Sequence, residues 1–153
     1  MIYNIPGVGE LKLTTLILDL NGTLTVKGII PPGVKERLAQ LKTLGYRVLF
    51  FTGNTRNNAD TIASELGIEW ILAETGEAKR DEALKLTPST CVTIGNGLID
   101  LELMKTVRLR IVTLQAEGVH TQTLLNSDIV VPTILDAFDV LIDPAILVAT
   151  LRK

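Results

Sequence analysis

Four short stretches of this chain place polar side chains where an apolar run ends. The first is Leu18-Asp-Leu-Asn-Gly-Thr-Leu-Thr25, in which a strand-like run stops at Asp19. An aspartate at a strand terminus can serve as an exposed nucleophile, and the backbone N–H groups after it can hold an anion. The same residues also read as a plain strand closed by an Asn-Gly turn. In Phe50-Phe-Thr-Gly-Asn-Thr55, Thr52 can give its hydroxyl to a phosphoryl oxygen, and Gly53 lets the backbone come close. Lys79, in Thr75-Gly-Glu-Ala-Lys-Arg80, is either a cation for an anionic ligand or an ordinary solvated lysine near a helix start. The fourth stretch, Ile94-Gly-Asn-Gly-Leu-Ile-Asp100, is a glycine-bracketed polar turn with a carboxylate just inside the next helix. There Asp100 could equally answer the helix dipole. Each stretch by itself leaves both readings open.

The elements that must position these residues alternate in a βαβα rhythm. Strands are expected over residues 14–20, 46–51, 69–73, 91–94, 109–114 and 128–131. Between and after them, helices are expected from Pro31 to Leu44, after Asn54 to Leu66, and over 79–86, 98–106, 118–125, 133–141 and 144–152. The pattern predicts one α/β domain over residues 1–153. Its expected architecture is a three-layer α/β/α, Rossmann-like parallel sheet without a cap domain. Such sheets bind ligands at the carboxyl ends of their strands, where Asp19, Thr52 and Asn96 all fall.

Composition agrees with that architecture. Hydrophobic residues are 46% of the 153, but aromatics only 4%, so Leu, Ile and Val must fill a sheet buried on both faces. The net charge of −2 comes without a basic block, so a nucleic-acid partner is not expected. A single cysteine, Cys91, excludes an intramolecular disulfide and reads as a core thiol; a single His120 excludes a multi-histidine metal site. The N-terminus lacks the marks of a signal peptide, and the apolar stretch 140–151 is interrupted by Asp143 and Pro144 and too short for a bilayer. No membrane association and a cytoplasmic location are therefore expected.

The order of the four stretches resembles the motif series of the haloacid dehalogenase-like (HAD) superfamily: an Asp, a Thr, a Lys and an acidic loop, each after a strand. The segment Asp19-Leu-Asn-Gly-Thr-Leu-Thr25 is most similar to the Asp-Lys-Thr-Gly-Thr-Leu-Thr of the P-type ATPase phosphorylation domain. Thr52-Gly-Asn54 parallels the Thr-Gly-Asp of those pumps, and the likeness runs over about residues 16–131. What the resemblance implies is an aspartyl phosphate formed on Asp19. The phosphoryl group would lie among Asp19, Leu20, Asn21, Thr52, Gly53 and Lys79. Mg²⁺ would be held by the Asp19 carboxylate, the Asn21 backbone carbonyl, Asn96 and Asp100. Positioning and charge neutralisation are most of what phosphoryl transfer needs.

Two positions depart from the family pattern. Phosphatases of the superfamily carry an acid/base Asp where this chain has Asn21, and losing such a group costs roughly 10²–10⁴-fold in rate. Asn96 replaces the first acid of the fourth motif and removes one charge from the Mg²⁺ site. Only a short flap, residues 26–30, follows the first motif, so the nucleotide domain of an ion pump has no room, and specific ATP recognition is not expected. An open site calls for a bulky substrate, weak selectivity or a lid from a partner chain; a homo-oligomer would also suit the mean hydropathy of +0.34. The leading expectation is a slow Mg²⁺-dependent phosphohydrolase or phosphotransferase acting on a phosphorylated substrate. The alternative is a catalytically silent phosphate-binding or regulatory module on the same fold. A two-component receiver domain uses similar groups, but its acidic pair would have to precede the series, and none does.

Overall fold

A computed structural model describes residues 1–115 and 117–153 of the chain. An antiparallel hairpin comes first, β1 (Ile2–Ile5) with β2 (Gly9–Lys12). The main sheet holds β3 (Thr15–Asp19), β4 (Arg47–Thr52), β5 (Glu69–Leu72), β6 (Cys91–Gly95), β7 (Leu109–Thr113) and β8 (Ile129–Val131). All six are parallel, in the order β5-β4-β3-β6-β7-β8. The chain first walks outward from β3 through β4 to β5, then returns to β6 on the other side. The crevice where that order reverses lies between β3 and β6, beyond their carboxyl ends.

Because side chains alternate along a strand, each strand feeds two cores. Leu16, Leu18, Val48, Phe50, Val92, Ile94 and Ile111 face one side. There they meet α1 (Val34–Thr43), α2 (Ala59–Leu66), α6 (Ile134–Ile142) and α7 (Pro144–Leu151). Ile17, Leu49, Phe51 and Cys91 face the other side, against α3 (Gly76–Leu84) and α4 (Leu101–Thr106). The short α5 (Thr121–Leu125) leads into β8. This is the expected three-layer α/β/α arrangement, and Cys91 is a fully buried core thiol.

Several local expectations need correction. The first twelve residues, where no element was expected, form the hairpin β1–β2. The dipeptide Pro6-Gly7 turns the chain, and Tyr3, Ile5 and Leu11 bury one face of the hairpin. Tyr3 Oη lies 2.6 Å from Tyr46 Oη and donates to the Leu141 carbonyl at 2.7 Å, which pins the hairpin to the body. Helix α3 begins at Gly76 rather than at Lys79, because the Thr75 hydroxyl caps it by accepting from Ala78 N at 3.0 Å. Lys79 therefore sits one turn into the helix and faces inward. The expected helix 98–106 opens as a 3₁₀ turn, Leu98–Asp100, and Leu98 is 55% exposed. Helix α5 starts at Thr121, three residues later than the pattern suggests.

Candidate active site

Asp19 ends β3 and is buried, at 8% exposure. The register of the sheet places Phe51 beside it and therefore Thr52 just beyond, while Leu18 pairs with Ile94 on the other flank, two residues before Asn96. Groups remote in sequence thus arrive at one edge through strand pairing alone. Lys79 comes from beneath, out of α3, with 1% of its surface exposed. Its Nζ donates to Asp19 Oδ1 at 2.7 Å and to Asp100 Oδ1 at 2.8 Å. A lysine fully removed from water is stable only with such partners.

Asp100 spends its second oxygen on the backbone, accepting from Asn96 N at 3.0 Å and Gly97 N at 3.1 Å. Gly95 is required here, since a Cβ at that position would stand 2.5 Å from Asp100 Oδ2 and 2.7 Å from its Cγ. Asp100, expected as a metal ligand, thus gives one oxygen to Lys79 and the other to the turn that carries Asn96. Its carboxylate is committed to holding Lys79 and the 96–97 turn.

Asn96 is held by its own amide. Nδ2 donates to the Gly118 carbonyl at 3.0 Å, which leaves Oδ1 facing Thr23 and Asp19. An aspartate there would set a carboxylate oxygen against that carbonyl. The Thr23 hydroxyl lies 3.3 Å from both Asn96 Oδ1 and Asp19 Oδ2. One hydroxyl has a single proton, so it cannot satisfy both acceptors at once. The buried Asn21 Oδ1 has no hydrogen-bond partner among the described residues. Gly22 lets the turn close onto Asn96: it has φ +78°, and a Cβ would meet Asn96 Nδ2 at 2.8 Å.

Thr52 accepts from Asn54 N at 3.0 Å, so its hydroxyl proton is left for another acceptor. Asp19, Asn21, Thr52, Gly53, Lys79 and Asn96, with Thr55, Glu74, Gly97 and Ile99, line a cavity of about 300 Å³. Leu20 is buried beneath it, and its N–H stabilises the Asp19 carboxylate. A larger hollow of about 540 Å³ lies at the opposite end of β4, but its Arg47 is already paired with Glu69.

Charge in this pocket is finely balanced. Burial, reinforced by repulsion from Asp100, lifts the Asp19 carboxyl to about 6, and the Lys79 ammonium only partly offsets that rise. Burial pulls the Lys79 ammonium down, but Asp100 and Asp19 together outweigh it and hold the proton above the usual lysine range.

Magnesium can be weighed against these donors. The oxygens Asp19 Oδ2, Asn96 Oδ1 and Asn21 Oδ1 are under-satisfied, and a hard cation prefers an all-oxygen set. They fit such an ion, although with a single carboxylate. Among the described residues no group of three or more His, Cys, Asp or Glu side chains could hold a metal.

Sequence reading missed Thr23, which joins the Asp19 and Asn96 oxygens, although it stands inside the first motif. It also missed Glu74, whose signal was its place directly after a strand carboxyl end.

No family model matches the sequence. Solved structures do resemble the fold. One is 3-deoxy-D-manno-octulosonate 8-phosphate phosphatase from Moraxella catarrhalis, in complex with magnesium, phosphate and KDO. It is 21% identical, with 92% of this chain and 94% of that one covered and a TM-score of 0.69. A phospho-aspartyl intermediate analogue of phosphoserine phosphatase is 13% identical, with 85% and 98% covered and a TM-score of 0.69. A protein named for the HAD family, from Streptomyces avermitilis, is 16% identical, with 78% and 75% covered and a TM-score of 0.66. The chain therefore has the capless fold of the HAD-type hydrolases.

Proposed function

We propose that this protein is a Mg²⁺-dependent phosphohydrolase or phosphotransferase that works through an aspartyl phosphate on Asp19. The observation that carries the reading is the buried Asp19 carboxylate at a sheet edge, bonded to Lys79 and opening on a cavity with Thr52 and Asn96. Phosphatases that share this fold include one captured with magnesium and phosphate and one as a phospho-aspartyl analogue.

In this reading Asp19 attacks phosphorus and the leaving group departs toward the cavity mouth. Lys79 and the Thr52 hydroxyl offset charge on the phosphoryl oxygens, while the N–H groups after Asp19 cradle them. Asp19, Asn96 and Asn21 would hold the Mg²⁺, which supplies charge neutralisation when bound. Asn21 cannot transfer a proton, so leaving groups that need no acid, as in acyl or aryl phosphates, are the expected substrates. Acetyl phosphate with Mg²⁺ tests this directly: the wild type becomes phosphorylated and Asp19→Ala does not. A wild type that neither retains label nor releases phosphate refutes the reading.

Asn21 and Asn96, which stand where the family pattern has acids, also favour a second reading, a silent phosphate-binding or regulatory module. Asn21→Asp separates the two. An intact catalytic frame gains roughly 10²–10⁴-fold in turnover from the restored acid/base; a silent module gains nothing and still binds phosphate.

A further inference from the structure

Hydrolysis of an aspartyl phosphate needs a base for the incoming water, and Asn21 cannot be that base. The carboxylates around the pocket are nearly all committed. Asp100 is held by Lys79 and two backbone N–H groups, and Glu117 accepts from Lys27 N. His120, the one histidine, gives its backbone N–H to the Asn96 carbonyl at 2.8 Å and does not line the cavity. Glu74 is different. Among the described residues it is the one carboxylate besides Asp19 that lines the cavity.

The sheet register explains why it is there. Thr52 pairs with Leu72 across β4 and β5, and Ala73 N donates to the Thr52 carbonyl at 2.9 Å. Glu74 thus emerges at the level of Gly53, directly above the strand end that would cradle the phosphoryl group. Its backbone and the start of its side chain pack beside that glycine: Glu74 Cα lies 3.5 Å, and Cγ 4.0 Å, from the point a Gly53 Cβ would occupy. Asp19 is two strands away, about 10 Å between strand axes. Asp19 and Glu74 thus line one cavity of about 300 Å³, which has room for a phosphoryl group and a water.

We infer that Glu74 is the general base for dephosphorylation, which rests on the phosphoenzyme reading above. Water oxygen bonds to phosphorus as its proton passes to the Glu74 carboxylate. The bond from phosphorus to the Asp19 oxygen breaks, and its electron pair restores the Asp19 carboxylate. Inorganic phosphate leaves, and Glu74 returns its proton to solvent. A carboxylate that takes the proton of the attacking water gives no help to a poor leaving group, in keeping with acyl phosphate substrates.

Glu74→Gln tests the assignment, since the side chain is exposed and the change keeps its size. Wild type and variant are labelled with radioactive acetyl phosphate and Mg²⁺, then chased with unlabelled reagent. Label should enter both at the same rate, while release from the variant slows roughly 10²–10⁴-fold. Hydroxylamine, which attacks the acyl carbon and needs no base at phosphorus, should release phosphate from both alike. Asn21→Asp added to the variant should restore release by water. If Glu74 only repelled anions, its neutralisation would speed the release. Release from Glu74→Gln at the wild-type rate or faster overturns the assignment and leaves the phosphoenzyme reading standing; a wild type that takes up no label overturns both.

Discussion

Replacing Lys79 by methionine would show how the pocket is held together. The ammonium is the common partner of Asp19 and Asp100, at 2.7 and 2.8 Å, with Lys79 and Asp100 each 1% exposed. Methionine fills much the same volume but leaves two buried carboxylates facing each other without a cation. Breaking a buried ion pair by deleting one partner costs about 3–5 kcal/mol. For a chain of this length each kcal/mol moves Tm by about 2–4 °C, so the loss is roughly 6–20 °C. The pH dependence should change with it. Native Asp19 holds its proton to about 6, whereas the unfolded carboxyl releases it at 3.8. Between those values the native state binds more protons, so stability falls as pH rises. Without Lys79 the native carboxyl rises further, and the falling limb should extend above pH 6. Urea unfolding of both proteins at pH 5, 6, 7 and 8, with Lys79→Met/Asp19→Asn as a control, measures this. The double variant should recover part of the loss. A Lys79→Met protein within 1 kcal/mol of wild type, with no added slope between pH 5 and 8, would refute the buried triad as the organising feature of the site.

Three other outcomes follow from the same geometry. Asp19→Asn should raise Tm at pH 7, because burial and Asp100 oppose the native charge more than Lys79 favours it; a lower Tm would mean that the attraction wins. Thr52→Val removes a donor to a charged phosphoryl group, worth about 1.5–3 kcal/mol, so phosphoenzyme formation should slow on the order of 10–100-fold while the fold persists. The only two tyrosines, Tyr3 and Tyr46, share a buried hydrogen bond, and burial raises both above their usual 10.0. Above pH 10 the unfolded chain loses protons that the native chain keeps, so stability should fall there. Absorbance at 295 nm should then stay flat until both tyrosines ionise together on unfolding; gradual titration of a folded protein would contradict the packing.

Asp19, Thr52 and Asn96 could be placed at strand ends from their neighbours alone, because a parallel strand buried on both faces announces itself by an unbroken apolar run. The order of the chemical groups along the chain was legible for the same reason: each follows such a run. Boundaries set by single polar contacts were less visible. The cap at Thr75 moved the start of α3 to Gly76, and Lys79, which the pattern left open between a solvated lysine and a cation for an anion, is a buried cation. The N-terminal hairpin went unseen because four-residue strands carry too little periodicity, and its stability comes from Tyr46 and Leu141, far along the chain.

Sequence by itself determined the layer architecture and the identity of the groups first placed at the sheet edge, since these depend on local pattern. Only tertiary structure decided what each group touches. That Lys79 bridges Asp19 and Asp100, and which way the Asn96 amide points, depends on atoms from strands and loops remote in sequence. Glu74 came within reach of the pocket in the same way, through a register that paired β5 with β4. Hydrogen bonds and charge balance act over a few ångströms in space, and no spacing along the polypeptide encodes them.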